Sequence, residues 1–405
     1  MSLLCYLATG LVLALVATGC DLSGGSGSGG SASGDGDGDG DRQLVFRLFA
    51  VDAEAADNFG EGVSVDGDRA IVGSMTNAAY VFTRDEAGVW RQEAKLIGDD
   101  PARGDRFGRS VAISGNIAVV GAAFDDDNGG GSGAVYVFRR EAGGSWSREA
   151  KLTAVDGATG DRLGASVAVS GNLVIASASE DFGEAYVFGR DDGGVWSQES
   201  KLVGDGLRQD FQNESVAIDG NRAILGATSN ARNGREAGAA YVFVRDQTGS
   251  WSREAELIAS DGASGDGFGR VVAIAGDVAI ASARRFGGED ATYVFRRDGD
   301  GSWSQEAKLS DGDPDTNSVT SAAVADDLVV LGVRQAANGR GAVYLFRRGT
   351  SGTWSQTTTF GVGLATDGDE FGRSVAINHD VVIVGAPGDD NRGNDAGSAH
   401  AIALQ

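Results

Sequence analysis

Three kinds of side chain in this sequence of 405 residues have the type and spacing to do chemistry. Oxygen-rich loops come first. Phe124-Asp125-Asp126-Asp127-Asn128 and the run from Gly388 to Asp395 crowd carboxylates and amides into short segments. A calcium ion takes about six to eight oxygens, so Asp125, Asp126, Asp127, Asp389, Asp390 and Asp395 are candidate Ca²⁺ ligands. The plainer alternative is that Asp and Asn shape turns. Second come arginines, whose planar forks suit carboxylates and phosphates. Arg109, Arg270 and Arg373 follow a recurring Phe-Gly pair, and Arg232 and Arg235 sit in a charged loop at 230–236. All five are candidate ligand-binding residues. For Arg109, Arg270 and Arg373, salt bridges to the recurrent Asp before each Phe-Gly are the competing expectation. Third, the chain has 2 histidines, His379 and His400, and neither has a nucleophile at a recognisable spacing. Phosphate loops and zinc spacings are absent, and no carboxylate pair stands out for glycoside chemistry. The expectation is a chain without catalytic residues.

What must position these groups is a repeat. An Asp-x-Phe-Gly-x-x-Val-Ala-Ile segment recurs at Phe59, Phe107, Leu163, Phe211, Phe268, Ser318 and Phe371, at intervals of 48 to 57 residues. All 6 Trp keep its register. A period near fifty with strand-like content signals a circular or stacked architecture. Asp57, Asp105, Asp161, Asp266 and Asp369 precede their anchors by two positions, where a turn or main-chain capping role is expected.

One unit reads as four antiparallel strands. Val111-Ala112-Ile113 and Ile117-Ala118-Val119-Val120 are wholly apolar and flank Ser114-Gly115-Asn116, a hairpin signal. Ala134 to Phe138 forms a third strand. The fourth alternates, with Trp146, Arg148, Ala150 and Leu152 on one side and Ser147, Glu149 and Lys151 on the other. Apolar inside and half-polar outside describes a propeller blade, and seven such units close a ring without long exposed edges. The extra segment Leu44–Asp52 aligns with a fourth strand, Arg47 and Leu48 matching Lys151 and Leu152. The last unit supplies only three strands, so the N-terminal one should complete it. Strand parity then sends all long connections to one face and the tight hairpins to the other. The expected fold is an all-β, seven-bladed β-propeller of four-stranded antiparallel blades.

Phe107-Gly108, Val120-Gly121-Ala122 and Val384-Gly385-Ala386-Pro387 resemble the FG-GAP repeats of integrin alpha-subunit propellers. With its Trp and Tyr-Val-Phe positions, residues 44–405 are similar to bacterial FG-GAP repeat proteins. The resemblance implies a seven-bladed propeller used for extracellular recognition. Integrin-type calcium sites use an Asp-x-Asp-x-Asp-Gly loop between the first two strands. Here those turns are Asp66-Gly67-Asp68, Ser114-Gly115-Asn116 and their like, too short to wrap a cation. Calcium at that position is therefore not carried over.

Residues 1–20 are apolar and end in Ala17-Thr18-Gly19-Cys20, which resembles a bacterial lipobox. The resemblance implies acylation of Cys20. Residues 21–43 are mostly Gly, Ser and Asp, a flexible tether spanning roughly 25 Å. The net charge of −24 argues against nucleic acid as a partner. The expected protein is thus a monomeric, lipid-anchored module on the cell envelope, at the outer membrane or cell surface rather than the inner membrane. It would bind an extracellular protein or glycan and touch the membrane through the anchor alone. A polysaccharide-acting propeller enzyme and a structural envelope component are the alternatives.

Overall fold

The computed structural model describes residues 32–33, 44–98, 104–178, 184–204, 215–284, 290–310, 319–361 and 363–404. Cys20 with the rest of residues 1–20, and the anchors Phe211 and Ser318, lie outside them. Seven antiparallel sheets follow one another, and their first strands neighbour each other in a closed circle. The second blade runs outward from the hub through Val111–Ser114, Ile117–Ala122, Ala134–Arg140 and Trp146–Leu152. The seventh runs through Ser374–Ile377, Val381–Ala386 and Ser398–Ala403, and then takes Val45–Leu48 from the opposite end of the chain. Arg47 lies opposite His400 and Leu48 opposite Ala399, as Lys151 and Leu152 lie opposite Tyr136 and Val135. The clasp expected from the sequence is therefore present, in register. A two-residue strand, Ala32–Ser33, pairs outside it. The one departure from all-β structure among the described residues is a helical turn, Ala336–Gly339.

The apolar core divides into seven clusters, one between each pair of neighbouring blades. The second blade shows how one sheet feeds two of them. Phe107, Tyr136, Phe138 and Trp146 pack backward on the first blade's Val81 and Leu96. Val135, Val137, Ala150 and Leu152 pack forward on Tyr186 and Phe188. The anchor phenylalanine binds its own blade edge-on, with ring centres 5.2 Å apart for Phe107–Tyr136 and 5.5 Å for Phe59–Tyr80. Such pairs add about 0.5–1.5 kcal/mol beyond the area they bury.

The expected alternation of the fourth strand needs correction. A β-bulge interrupts it between Arg148 and Ala150, so Trp146 and Leu152 face opposite sides of the sheet. The extra residue is Glu149. Freed from the ladder, its carboxylate accepts bonds from the next blade, 2.7 Å from Arg190 Nη2 and 2.9 Å from Trp196 Nε1. Glu93, Glu199, Glu254 and Glu306 repeat this latch to Arg140 and Trp146, Arg245 and Trp251, Arg297 and Trp303, and Arg348 and Trp354. In blades one to five the bulge therefore serves the ring, turning one residue toward the next blade.

One strand out from the hub, blades meet glycine to glycine. A Cβ built on Gly226 would lie 1.8 Å from the carbonyl oxygen of Gly269 in the next blade, and one on Gly121 would lie 2.0 Å from that of Gly164. Nothing larger fits. At Gly220, in a hairpin turn with φ of +55°, a Cβ would meet no atom within 4 Å.

Two predictions follow the packing outward. Gly220→Ala should cost about 1–2 kcal/mol, the strain of a left-handed backbone, whereas Gly226→Ala should cost about 3 kcal/mol or more because backbone must move. Calorimetric melting temperatures that fall equally would contradict the glycine contact. At the rim, burial alone would raise the pKa of Glu149, Glu254 and Glu306, but the Arg and Trp donors outweigh it and lower each below 4.5. A depressed carboxylate pKa contributes stability above the unfolded value, and the contribution is lost as pH falls through the folded value. The triple variant Glu149→Gln, Glu254→Gln, Glu306→Gln should therefore be less stable than wild type at pH 7. Urea titrations should show the gap closing as pH falls from 5 to 3; a gap constant with pH would refute the latch.

Candidate functional site

The inner strands line a central cavity of about 660 Å³. They splay too far apart to pair as a sheet, so side chains stitch them. Near the mouth, Ser110 Oγ accepts the amide of Val167 in the next blade, Ser166 accepts that of Val216, and Ser215 that of Val272. Ser374 Oγ closes the circle by donating to the carbonyl of Gly60. At the opposite end the hairpin turns are joined in the same way, Asp66 accepting from Gly115, Ser114 from Gly171, Ser170 from Gly220 and Asp219 from Gly276. The scaffold thus occupies the small polar groups along the hub.

At the end where strands two and three are joined, charge remains. The position directly after each Phe-Gly points to the cavity mouth, and Glu61, Arg109, Arg270 and Arg373 there are joined by Arg334 from the end of the second strand in blade six. Arg373 grips Glu61 with both arms of its fork, at 3.0 and 2.5 Å. Arg109 stands 3.5 Å from the same carboxylate, and Arg334 3.4 Å from Glu370. Arg270 has no carboxylate within ion-pair distance among the described residues. The expected bridges from Arg109, Arg270 and Arg373 to the Asp of Asp-x-Phe-Gly are therefore not formed. Those carboxylates cap the turn instead, Asp57 accepting the amide of Glu54, Asp161 that of Ala158, Asp266 that of Ala263 and Asp369 that of Thr366.

The guanidinium groups repel one another across the mouth. Burial lowers the pKa of Arg109, and Arg373, Arg106 and Arg334 lower it further against the pull of Glu61. Arg270 is lowered by burial and then by Arg284, Arg334 and Arg373, with Asp290 opposing. Arg373 is shifted the other way, because its bonds to Glu61 outweigh burial. Sequence reasoning missed Glu61 and Arg334. Glu61 holds the repeat position of Arg109, and lining up that position across blades would have found it. Arg334 lies after a strand end and has no repeat signal.

The acidic loops are organised by their own surroundings. Asp125 accepts from the Tyr136 hydroxyl at 2.9 Å and pairs with Lys151 at 2.7 Å, while Asp127 also meets Lys151. Asp126 accepts the amide of Gly131. Asp389 accepts from Ser398 at 2.6 Å and from the Asn391 amide, Asp390 from the amide of Asp395, and Asp395 from Asn394. No group of three or more His, Cys, Asp or Glu is placed to hold a metal ion among the described residues. Arg232 pairs with Glu256, and Arg235 is exposed beside Glu236, both away from the cavity mouth. His400 fills the Tyr slot, 5.1 Å from Phe371 between ring centres, and its Nε2 meets Ser398 Oγ. Burial pushes its pKa down to about 3, so it is neutral. The Asp389–Ser398–His400 chain has the residue types of a hydrolase, but all three are at most 1% exposed and no substrate can reach them. Its role is to span the gap that Tyr136 covers alone in blade two.

Comparison with known proteins agrees with this geometry. The sequence profile of the FG-GAP repeat matches residues 43–87, 90–138, 146–188, 196–243, 251–295 and 354–402. No curated protein matches the chain. Among solved structures, the crystal structure of Saccharomyces cerevisiae Sqt1 is similar in fold, with a TM-score of 0.51 over 87% of this chain and 97% of that one, at 9% identity. Because hydroxyl, amide and ammonium groups already occupy the loop carboxylates, millimolar calcium chloride should leave the melting temperature within about a degree. A rise of several degrees, as mass action requires of a tightly bound ion, would show that Asp125–Asp127 or Asp389–Asp395 rearrange around it.

Proposed function

The chain belongs to the FG-GAP repeat family, and from that premise we propose a non-enzymatic recognition module that binds a protein or glycan through the loop-rich face of its propeller. One observation carries this reading: the two faces are built differently. On one, two-residue turns such as Gly115-Asn116 and Gly171-Asn172 are tied to their neighbours and project little. On the other, the connections 123–133, 228–238 and 387–397 share the face on which a cavity mouth edged with charge opens. Irregular loops on a rigid scaffold are where binding concentrates.

Some of these loops carry sticky groups. Phe124 is sandwiched between Arg106 and Arg162, at 4.3 and 5.2 Å from its ring centre, and Arg392 lies 4.7 Å over Phe49. Arginine and aromatic side chains are over-represented in the parts of interfaces that dominate affinity. The lipobox-like Ala17-Thr18-Gly19-Cys20 and the Gly/Ser/Asp tether support display on the cell envelope by acylation of Cys20.

Carboxyl-directed cross-linking on intact cells expressing the full chain tests the face. Cross-links to a partner should gather on 124–133, 230–236 and 388–395; a majority at the hairpin-turn carboxylates Asp66, Asp68, Asp219 and Asp277 would overturn the assignment. Turnover of a polysaccharide, abolished by single Asp substitutions, would overturn the non-enzymatic reading. For the anchor, Cys20→Ser should move the protein from the membrane fraction to the soluble one, and unchanged retention would contradict acylation.

A further inference from the structure

The mouth of the cavity combines three properties. The chain carries a net charge of −24, so its general field repels anions. Among the described residues four arginines, Arg109, Arg270, Arg334 and Arg373, meet two carboxylates at ion-pair distance, Glu61 and Glu370, with Asp290 acting on Arg270 from farther off. They are also half-buried. Arg109, Arg334 and Arg373 side chains are 33%, 31% and 21% exposed, so their charges are desolvated without being enclosed. Finally, Arg270 has no ion-pair partner among the described residues, and the buried Nε of Arg334 has no hydrogen-bond partner.

A repeat that needed these arginines for stability would pair them, as it pairs Arg140, Arg190, Arg245, Arg297 and Arg348 at the rim. The same residue type is therefore neutralised where it is structural and left in excess where the cavity opens. Glu61 shows what the mouth accepts: a planar carboxylate held by both arms of an arginine fork.

We propose that the loop-face mouth of the central cavity is a carboxylate-binding site. A ligand bearing two or more carboxylates enters between blades five, six and seven, is gripped by Arg270 and Arg334, and competes with Glu61 for Arg109 and Arg373. A cavity of about 660 Å³ is of small-ligand size, enough for a free polycarboxylic acid or the end of an acidic sugar chain. The hydroxyls beside them, Ser110, Ser166, Ser215 and Ser374, are already used between blades, so the arginines carry recognition.

This inference rests on the loop-rich face being the binding face. Its test is titration calorimetry on the full chain at low salt with tricarballylate, a galacturonate trisaccharide and neutral glucose as probes. Both acids should bind saturably and glucose should not, with affinity falling as salt is raised. Tighter binding of the saccharide identifies a chain end as the source of the carboxylate, and tighter binding of tricarballylate a free acid. Arg270→Ala and Arg334→Ala should each weaken binding at least tenfold, Arg270→Lys less, and Arg235→Ala not at all. Glu61→Gln should strengthen it severalfold, a gain that a purely structural role for Glu61 does not produce. Melting temperatures confirm that each variant is folded. No saturable binding of either acid, equal binding of glucose, or an unchanged affinity in Arg270→Ala and Arg334→Ala would overturn the site. If cross-links gather on the loops while no acid binds, this inference fails alone. If acids bind while cross-links gather on the turns, the partner-binding face is wrong and the site stands.

Discussion

Two glycine backbones in contact set the geometry of this molecule. The Gly that follows each anchor phenylalanine presents its carbonyl oxygen where the second-strand Gly of the preceding blade would carry a side chain, as Gly269 does to Gly226, Gly372 to Gly332 and Gly60 to Gly385. Moving outward, the space between blades is filled by progressively larger groups. Edge-on aromatic pairs come first, then the Glu–Arg–Trp latch at the rim, while hydroxyl bridges join the blades on the hub side of the glycines. A gap that widens with radius makes each interface a wedge, and the seven wedges close a circle.

Exceptions to the pattern obey the same constraint. Ser177 and Ser282 replace the second-strand Gly in blades three and five. Those are the blades followed by Gln212 and Val319, where the partner glycine has been lost from the sequence. The two serine hydroxyls instead accept amides of their own blades, Ser166 and Val271. The closing blade departs in another way. Its rim strand runs from Val45 to Leu48 without a bulge or a glutamate, and Thr357 stands at the latch position of blade six. The junctions on both sides of blade seven therefore lack the rim latch. At one of them Arg84 reaches Asp68 and Asp380, each at 2.7 Å. The blade is held by strand pairing between the chain's two ends, with Leu48 and Ala50 in the core it shares with blade one.

Much of this was legible before any coordinates. The fifty-residue period, the displaced rim strand and the register of Arg47 and Leu48 follow from repeated patterns, and a repeat averages out the ambiguity of any one short strand. The capping role of Asp57, Asp161, Asp266 and Asp369 was readable for the same reason. What could not be read were side-chain partners. A bulge shifts parity by one residue without altering composition, so Glu149 looked like an outward-facing edge charge when it reaches the next blade. The mouth joins position 61 to position 373 and a strand end at 334 to both, and only ring closure brings them together. Repeats reveal a scaffold; an asymmetric site breaks the repeat and leaves little periodic trace.

A closed ring of nearest-neighbour wedges should open as a unit, unlike an open solenoid that frays from its ends. Native-state hydrogen exchange of the full chain measures this directly at the clasp. Amides of Val45–Leu48 that pair with Ser398–Ala403 should exchange at the rate of the central strand Val381–Ala386, through global opening. If the N-terminal strand exchanges orders of magnitude faster than the strand it pairs with, the ring is not closed in solution and the account of its faces is wrong.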